Sequence, residues 1–319
     1  MKDTPDAPRL PKHAAPLVSA SRLERALKEG RFACVMEVYP PCSADLGPWL
    51  DAAEALGPWC DTLQLTDMPL ATPHVANIAA GAGLAARGLD VMVNVTCRDR
   101  NAIAQQGYLL GAAALGMTGA FCLTGDHPRI GDHPHAMPVF ELDSAAWLRL
   151  ARRMRDEGVL QNGRAIDAPP RLFLGAAAAP DAPPAAGRPQ DALRKVEAGA
   201  EVLVTQPVLD AAAFEVYMAR LRDVGVTERA FVVAGVMAVT SPEQFEALRA
   251  TPDVAAPDAL FDALRALPPD QCAAAGLARA AGLIERLRGV EGVDGVLIYP
   301  FGMTQPDMIA LAREAGLGG

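Results

Sequence analysis

Eight short runs of apolar and β-branched residues recur along the chain, and helical patterns lie between them. Each run is almost continuously apolar, which is typical of parallel strands covered on both faces. The runs lie at residues 32–38, 61–66, 90–96, 119–125, 171–177, 201–206, 230–237 and 294–300. Helical patterns between them include residues 73–88, 101–116, 144–158 and 191–200. This alternation predicts an α/β fold consisting of a single (β/α)8 TIM barrel.

A doubly wound open sheet is the alternative arrangement of the same elements. No G-x-G-x-x-G motif follows the first run, which disfavours an open sheet that binds dinucleotides. We assign residues 1–20, rich in proline, alanine and charge, to a flexible N-terminal arm, and residues 21–319 to the catalytic barrel. The stretch 242–290 is longer than one barrel helix requires, so it is predicted to hold two helices joined around residues 251–260.

Charge and hydropathy argue against several kinds of partner. The 29 Lys and Arg residues against 38 Asp and Glu give a net charge of −9, which disfavours nucleic-acid binding. No apolar stretch reaches the length of about 18 residues that a membrane span needs, and no signal peptide is apparent, so we expect a cytoplasmic protein without a membrane partner. The six cysteines form no C-x-x-C pair, and no metal site is predicted from them.

In a TIM barrel, ligands bind on the loops that follow the carboxyl ends of the strands. Polar residues end most of the apolar runs, and they form the candidate site: Glu37, Thr66 with Asp67, Asn94 with Thr96, Thr124 with Asp126, Thr205 with Gln206, and Tyr299. Neutral hydroxyl and amide groups outnumber charges in this set, which favours a flat heterocycle over a bare phosphate or a metal.

Glu37 is the most informative member of this set. A carboxylate inside an apolar run is costly unless it is hydrogen-bonded or protonated, so we expect it to have a function. Each of the other residues also has a purely structural explanation. Asp126 could form an Asx turn or a helix cap, and Gln206 could hydrogen-bond a loop carbonyl. Tyr299 could simply pack its ring, and Lys195, which lies in a helical pattern, could face solvent.

Several ordered segments resemble the methylenetetrahydrofolate reductase family, the flavoprotein barrels of one-carbon metabolism. MEVYPP at 36–41 is similar to the family's first-strand Glu followed by an aromatic residue and two prolines. VNVTCRDRN at 93–101, CLTGDHP at 122–128 and LRKVEAGAEVLVTQPVLD at 193–210 resemble later segments in the same order. TCRDRN, together with GDHP and PVFELDS, is similar to a short bacterial branch without a regulatory domain.

This resemblance implies a 5,10-methylenetetrahydrofolate reductase, in which a flavin carries hydride between NAD(P)H and methylene- or methyl-tetrahydrofolate. Glu37 would be the general acid that protonates N10 of the folate, and Asp126 would be the second catalytic residue, near flavin and pterin. The residues implied to contact the flavin are Thr66, Asn94, Thr96, Thr124, Gly125, Asp126 and Lys195. Those implied to contact the substrate are Glu37, Asp126, Gln206 and Tyr299.

The implied cofactor is FAD, with NADH or NADPH as co-substrate. The better-known bacterial members carry His at the position of Asn94 and Arg at the position of Thr124, so FMN or weak flavin binding are alternatives. The implied partners are a tetrahydrofolate derivative and a nicotinamide dinucleotide, with a homo-oligomer or a partner subunit as further options. Reduction would serve methionine biosynthesis and oxidation would serve demethylating catabolism; the sequence leaves the direction open.

Two other functions remain open at this point: a flavin-free, pterin-dependent barrel enzyme of the methyltransferase type, and a non-catalytic barrel subunit of a larger one-carbon complex.

Gly-Asp-His-Pro occurs twice, at 125–128 and 131–134. Three histidines lie in this stretch, His127, His133 and His135, but a zinc site needs three or four ligands that converge with ordered spacing. Prolines at 128, 134 and 138 stiffen the loop. We therefore predict a catalytic-loop aspartate, Asp126, followed by a semi-rigid flap.

Overall fold

The computed structural model describes residues 11–249, 254, 259, 262–263 and 266–318. Eight parallel strands form a closed barrel in chain order. They are β1 Ala33–Val38, β2 Thr62–Leu65, β3 Val91–Thr96, β4 Gly119–Leu123, β5 Phe173–Ala178, β6 Val202–Pro207, β7 Phe231–Val236 and β8 Gly295–Ile298. Every apolar run of the sequence forms one of these strands. The predicted (β/α)8 TIM barrel is confirmed.

Helices surround this barrel. The described residues form α1 Arg22–Lys28, α2 Gly47–Glu54, α3 Asn77–Ala86, α4 Ala102–Ala114, α5 Ser144–Asp156, α6 Arg188–Ala198, α7 Ala211–Asp223, α8 Val226–Arg229, α9 Pro242–Arg249, α10 Pro269–Arg288 and α11 Gln305–Glu314. The predicted link around 251–260 lies, apart from residues 254 and 259, outside the described residues. Among the helices that are described, none combines the length and the apolarity that a bilayer crossing would need.

Helix α1 closes the amino-terminal end of the barrel. Its Leu23, Ala26 and Leu27 are buried against side chains that point into the barrel, including the rings of Phe121, Phe173 and Phe231. A TIM barrel is filled by such layers of side chains rather than open along its axis. The open end is therefore at the carboxyl ends of the strands, and we call this end the mouth.

At the opposite end, acidic residues at the start of three strands join neighbouring strands. Asp61, Glu201 and Asp294 directly precede β2, β6 and β8. Their carboxylates accept backbone N–H groups of the preceding strands, from Cys34 at 2.9 Å, Leu174 at 3.1 Å and Val232 at 2.8 Å. Hydrogen bonds to a charged acceptor are stronger than neutral ones, so these contacts help to fix the strand register.

Residues 12–19 lie against this closed end. The Lys12 N–H donates to the Glu228 carbonyl at 3.0 Å, and its ammonium pairs with Asp294 at 2.7 Å. The N–H groups of Val18 and Ser19 donate to the buried carboxylate of Glu24 at 2.8 and 2.9 Å. The boundary at residue 20 and the flexibility of the arm stay predictions, and residues 1–10 lie outside the described part.

Gly295 lies where β8 packs closely against β1 and closes the barrel. A Cβ here would meet the backbone of Ala33 on β1, with its carbonyl carbon and its Cβ both at 3.0 Å. Because backbone atoms of a neighbouring strand cannot move aside, Gly295→Ala should destabilise the protein by about 1–3 kcal/mol. Gly282→Ala is the control, since this exposed glycine of α10 has nothing within 4 Å of its Cβ position.

In the control, the loss of backbone freedom in the unfolded chain should stabilise the protein by roughly 0.5–1 kcal/mol. Urea denaturation of both variants gives the comparison. Equal midpoints for Gly295→Ala and the wild-type protein would contradict this account of barrel closure.

Candidate active site

Alternation along the strands places a polar arc on one side of the mouth. Ala33 and Val35 face the barrel interior, so Glu37, two residues further along β1, faces it as well. The same period of two residues directs alternate side chains of β2 and β3 into the barrel. The inward-facing residues nearest the mouth are polar and buried: Gln64, Thr66, Asn94 and Thr96. The opposite arc is apolar and mostly small, with Leu123, Ala177 and Gly235.

Glu37 is buried with an exposed fraction of only 6%. This burial raises the pKa of its carboxyl group to about 8, and a hydrogen bond with the Tyr39 hydroxyl opposes the rise. Because removal from water disfavours the charged form, the carboxyl group holds its proton at neutral pH. The structure therefore gives Glu37 the protonation state that a general acid requires.

Gln64 and Asn94 join the inner faces of β2 and β3. The Gln64 Nε2 donates to Asn94 Oδ1 at 2.9 Å, and Asn77 Nδ2 donates to the Asn94 carbonyl at 2.8 Å. At the mouth end of β2, the buried atoms Gln64 Oε1 and Thr66 Oγ1 have no hydrogen-bond partner. An unpaired buried polar atom costs about 1–3 kcal/mol, so both indicate a place for further hydrogen bonds.

Asp67, the residue after Thr66, organises the next loop. Its carboxylate accepts hydrogen bonds from both the N–H and the hydroxyl of Thr96 at 2.9 Å. The same carboxylate forms a bidentate ion pair with the Arg100 guanidinium at 2.6 and 3.1 Å. The Thr96 hydroxyl proton is thus used within the protein. The prediction that Thr96 contacts a cofactor stays a prediction.

Arg98 holds three loops of the mouth together. Only 2% of this arginine is exposed, and its guanidinium donates to the carbonyls of Met68 at 3.1 Å and Asp126 at 3.2 Å. The side chain is itself fixed by Asp99 at 2.8 Å. Sequence reasoning missed this residue, although it lies in the TCRDRN segment. The arginine fixes the backbone of the loop that carries Asp126.

The loop after β4 presents Thr124 and Asp126 at the mouth, where both are exposed. Gly125 between them has a φ of +87°, and a Cβ there would lie 3.0 Å from the Cβ of Thr96. Only glycine adopts this conformation readily while packed so closely. The Asp126 carboxylate is therefore open to a ligand while its backbone is fixed from below.

The flap beyond Asp126 packs against the mouth loops. The His127 ring stacks on Phe140 with centroids 6.3 Å apart, and a Cβ on Gly131 would collide with the carbonyls of Leu70 and Ala71 in the loop after β2. His133 contacts Asp132 at 2.6 Å. Within the residues that the structure describes, no three His, Cys, Asp or Glu side chains converge as a metal site.

Three further predicted residues, Thr205, Gln206 and Tyr299, lie around the apolar arc. The Tyr299 hydroxyl donates to the Thr205 carbonyl at 2.9 Å, and its ring covers Gly235, where a Cβ would lie 2.6 Å from it. Gln206 is half-buried at an irregularity of β6 between Val204 and Pro207. Burial raises the pKa of the Tyr299 hydroxyl, and the charge of Glu37 adds to the rise, which indicates that the two residues are close.

Lys195 reaches the mouth although it lies on a helix. From α6 its ammonium donates to the Ala177 carbonyl at the end of β5, at 2.9 Å, and pairs with Asp191 at 3.1 Å. Its side chain is mostly buried, so it is not part of a solvated helix face. The structure thus brings Glu37, Thr66, Asn94 and Tyr299 to the barrel interior and places Thr124, Asp126 and Lys195 around the rim.

Solved structures of low sequence identity share this fold. An uncharacterized protein from Clostridium thermocellum that binds two copies of 5-methyl-5,6,7,8-tetrahydrofolic acid superposes with a TM-score of 0.64 at 11% identity, covering 92% of this chain and 97% of that one. Tryptophan synthase from M. tuberculosis, in its aminoacrylate-bound form, superposes with a TM-score of 0.52 at 15% identity, covering 93% and 100%. No curated protein sequence matches the chain.

A sequence model of one family matches most of the chain. The model describes methylenetetrahydrofolate reductase and spans residues 22–304, from the start of α1 to the end of the last barrel strand and beyond. All of the site residues described above lie inside this range. The chain belongs to the methylenetetrahydrofolate reductase family.

Proposed function

We propose that the protein is a flavin-dependent 5,10-methylenetetrahydrofolate reductase that transfers hydride between NAD(P)H and a tetrahydrofolate. The observation that carries this proposal is the buried Glu37, which keeps a proton at neutral pH at the mouth of a barrel of this family. The C. thermocellum barrel that binds methyl-tetrahydrofolate supports a folate ligand for this fold.

The residues at the mouth fit a flavin. The Thr66 hydroxyl is buried without a partner and suits the polar edge of a flat ring, while Ala177 on the opposite arc presents only a small side chain to the apolar face of the ring. Lys195 supplies a cation at the rim that suits a phosphate. The proposed flavin contacts are Thr66, Asn94, Thr96, Thr124, Gly125, Asp126 and Lys195. When bound, the flavin supplies the hydride carrier.

Glu37 acts on the folate in this proposal. Its proton passes to N10 of methylene-tetrahydrofolate, which breaks the bond between N10 and the bridging carbon and makes that carbon electrophilic. Asp126 holds the folate from the loop after β4, and Gln206 and Tyr299 contact it from β6 and β8. The Tyr299 hydroxyl already donates to Thr205, so it offers the substrate its ring and its oxygen lone pairs.

An absorbance scan of the purified protein after reconstitution with FAD tests the flavin. The visible flavin band is expected, and extraction of the pigment distinguishes FAD from FMN. A protein that stays colourless yet binds tetrahydrofolate would instead favour the flavin-free, pterin-dependent enzyme.

Glu37→Gln removes the proton donor and keeps the shape of the side chain. Folate turnover should fall by about 10²–10⁴-fold, the usual worth of a general acid, while flavin reduction by the nicotinamide stays within about twofold. Rapid mixing measures the two half-reactions separately, and the second serves as the internal control. Unchanged folate turnover would remove Glu37 from this role.

The folate half-reaction of the wild-type protein should be level at low pH and fall about tenfold per unit above pH 8, the pKa of Glu37. Stability should follow the same group: an acid whose pKa is raised on folding stabilises the folded state fully below its unfolded pKa and loses that contribution as pH rises through about 8.

Glu37→Gln lacks this loss. Its stability relative to the wild-type protein should therefore increase from about pH 4.5, the unfolded pKa of the glutamate, to about pH 8 and stay level above that, as measured by urea midpoints. Parallel stability curves for the two proteins would show that the Glu37 pKa is not raised by folding.

Asp126→Asn removes a carboxylate charge that is exposed at the mouth. Folate affinity should fall severalfold and the flavin reduction potential should become more positive, because the reduced flavin gains negative charge. Asp132→Asn is the matched control, since this residue lies further along the same flap beside His133. If Asp126→Asn changes neither quantity, the loop after β4 does not contact flavin or folate.

A further inference from the structure

Gln64 is the register partner of Glu37. The two residues are paired between β1 and β2, and both side chains face the barrel interior. Adjacent strands lie about 4.8 Å apart, so the amide and the carboxyl group lie side by side. The exposed fraction of Gln64 is 2% and that of Glu37 is 6%, so neither side chain can hydrogen-bond freely to solvent water.

The Gln64 amide is only half used within the protein. Its Nε2 donates to Asn94 Oδ1 at 2.9 Å, whereas its Oε1 is buried without a partner. Asn94 is held in turn, because Asn77 Nδ2 donates to its carbonyl at 2.8 Å and the Tyr108 hydroxyl donates to Asn77 Oδ1 at 2.5 Å. This chain of contacts fixes which end of the Gln64 amide turns toward β1.

An acceptor in this position needs a donor from β1. An ionised carboxylate only accepts hydrogen bonds, but a protonated carboxyl group carries one O–H donor. An apolar residue of the same size would avoid the cost of an unpaired buried oxygen, so a purely structural role leaves this amide oxygen unexplained.

We propose that Gln64 is a positioning residue for the general acid: its Oε1 accepts a hydrogen bond from the protonated carboxyl group of Glu37 and holds that proton in place until the folate arrives. This inference rests on the proposed function for its catalytic meaning, but the hydrogen bond itself requires no ligand.

Two other titratable groups face Glu37. Tyr39, from the loop after β1, interacts with the carboxyl group by a hydrogen bond that favours ionisation, and Tyr299, from the end of β8, is close enough for Glu37 to raise its pKa. The neighbouring inward-facing residues of β2, Gln64 and Thr66, carry no charge. Gln64 therefore acts against Tyr39, because a hydrogen bond that the neutral acid donates favours the protonated form.

The test is a direct titration of Glu37 by NMR in protein labelled with ¹³C at the glutamate carboxyl groups. The Glu37 signal is assigned by its loss in Glu37→Gln. Gln64→Met, which keeps the volume and removes the acceptor, should lower the Glu37 pKa by about one unit. Gln64→Glu places a second carboxyl group beside the first and should raise the upper pKa of the pair.

Thr62→Val is the matched control. Thr62 lies two residues earlier on the same inner face of β2, and it is a buried polar residue as Gln64 is. This variant should leave the Glu37 titration unchanged. An unchanged Glu37 pKa in Gln64→Met would overturn the proposal. A raised pKa would also overturn it, because it would mean that the amide nitrogen faces Glu37. If Gln64→Met does not fold, an upper pKa that is not raised in Gln64→Glu would overturn the proposal, because it would show that the two side chains are not adjacent.

The same variants separate this inference from the proposed function. In Gln64→Met, the pH at which the folate half-reaction falls should move down with the Glu37 pKa, while flavin reduction keeps its pH profile. If the NMR shift occurs but no protein of the series, wild type included, turns over folate, the hydrogen bond stands and the proposed function fails. If the wild-type protein turns over folate but Gln64→Met does not shift the Glu37 pKa, the proposed function stands and the hydrogen bond from Glu37 to Gln64 is refuted.

Discussion

The protonation state of Glu37 depends on a burial that its hydrogen bond with Tyr39 compensates only in part. Glu37 faces inward because β1 alternates with a period of two residues, and barrel closure then removes it from water. The desolvation of the charged form outweighs the hydrogen bond from Tyr39, so the carboxyl group keeps its proton. The nearby polar groups of β2 and β3 are neutral, and a cation placed among them would return Glu37 to the ionised state.

The surrounding loops are held by charge pairs that lie beneath the mouth. Asp67 binds Arg100 and Thr96, while Arg98 binds Asp99 and two loop carbonyls. These ion pairs use their charges on one another, so the side chains left at the mouth are mainly neutral, with Asp126 and Lys195 at its edge. A preorganised backbone thus presents the few groups that are free to meet a ligand.

The sequence predicts the strands well because each one is buried on both faces and reads as a nearly continuous apolar run. It also predicts the residues at the strand ends, since a polar residue that closes such a run is easy to see. Gln64 escapes this reasoning because it lies inside its run, one apolar residue before Thr66. Arg98 escapes it because its role comes from carbonyls of two loops that are distant in sequence, and a contact of that kind leaves no local pattern.

Lys195 is a residue whose place at the mouth could not be predicted from the local sequence pattern. On a helix it reads as a solvated cation, and only the packing of α6 on β5 directs it to the Ala177 carbonyl. The resemblance to a family, rather than periodicity, is what made it a candidate.

The carboxylates of Asp61, Glu201 and Asp294 clamp the strands at the end of the barrel remote from Glu37. These contacts between strands and the candidate site therefore lie at opposite ends of one barrel. Substitutions around the rim can therefore alter which ligand the barrel accepts without removing the carboxylate contacts that keep the strands aligned.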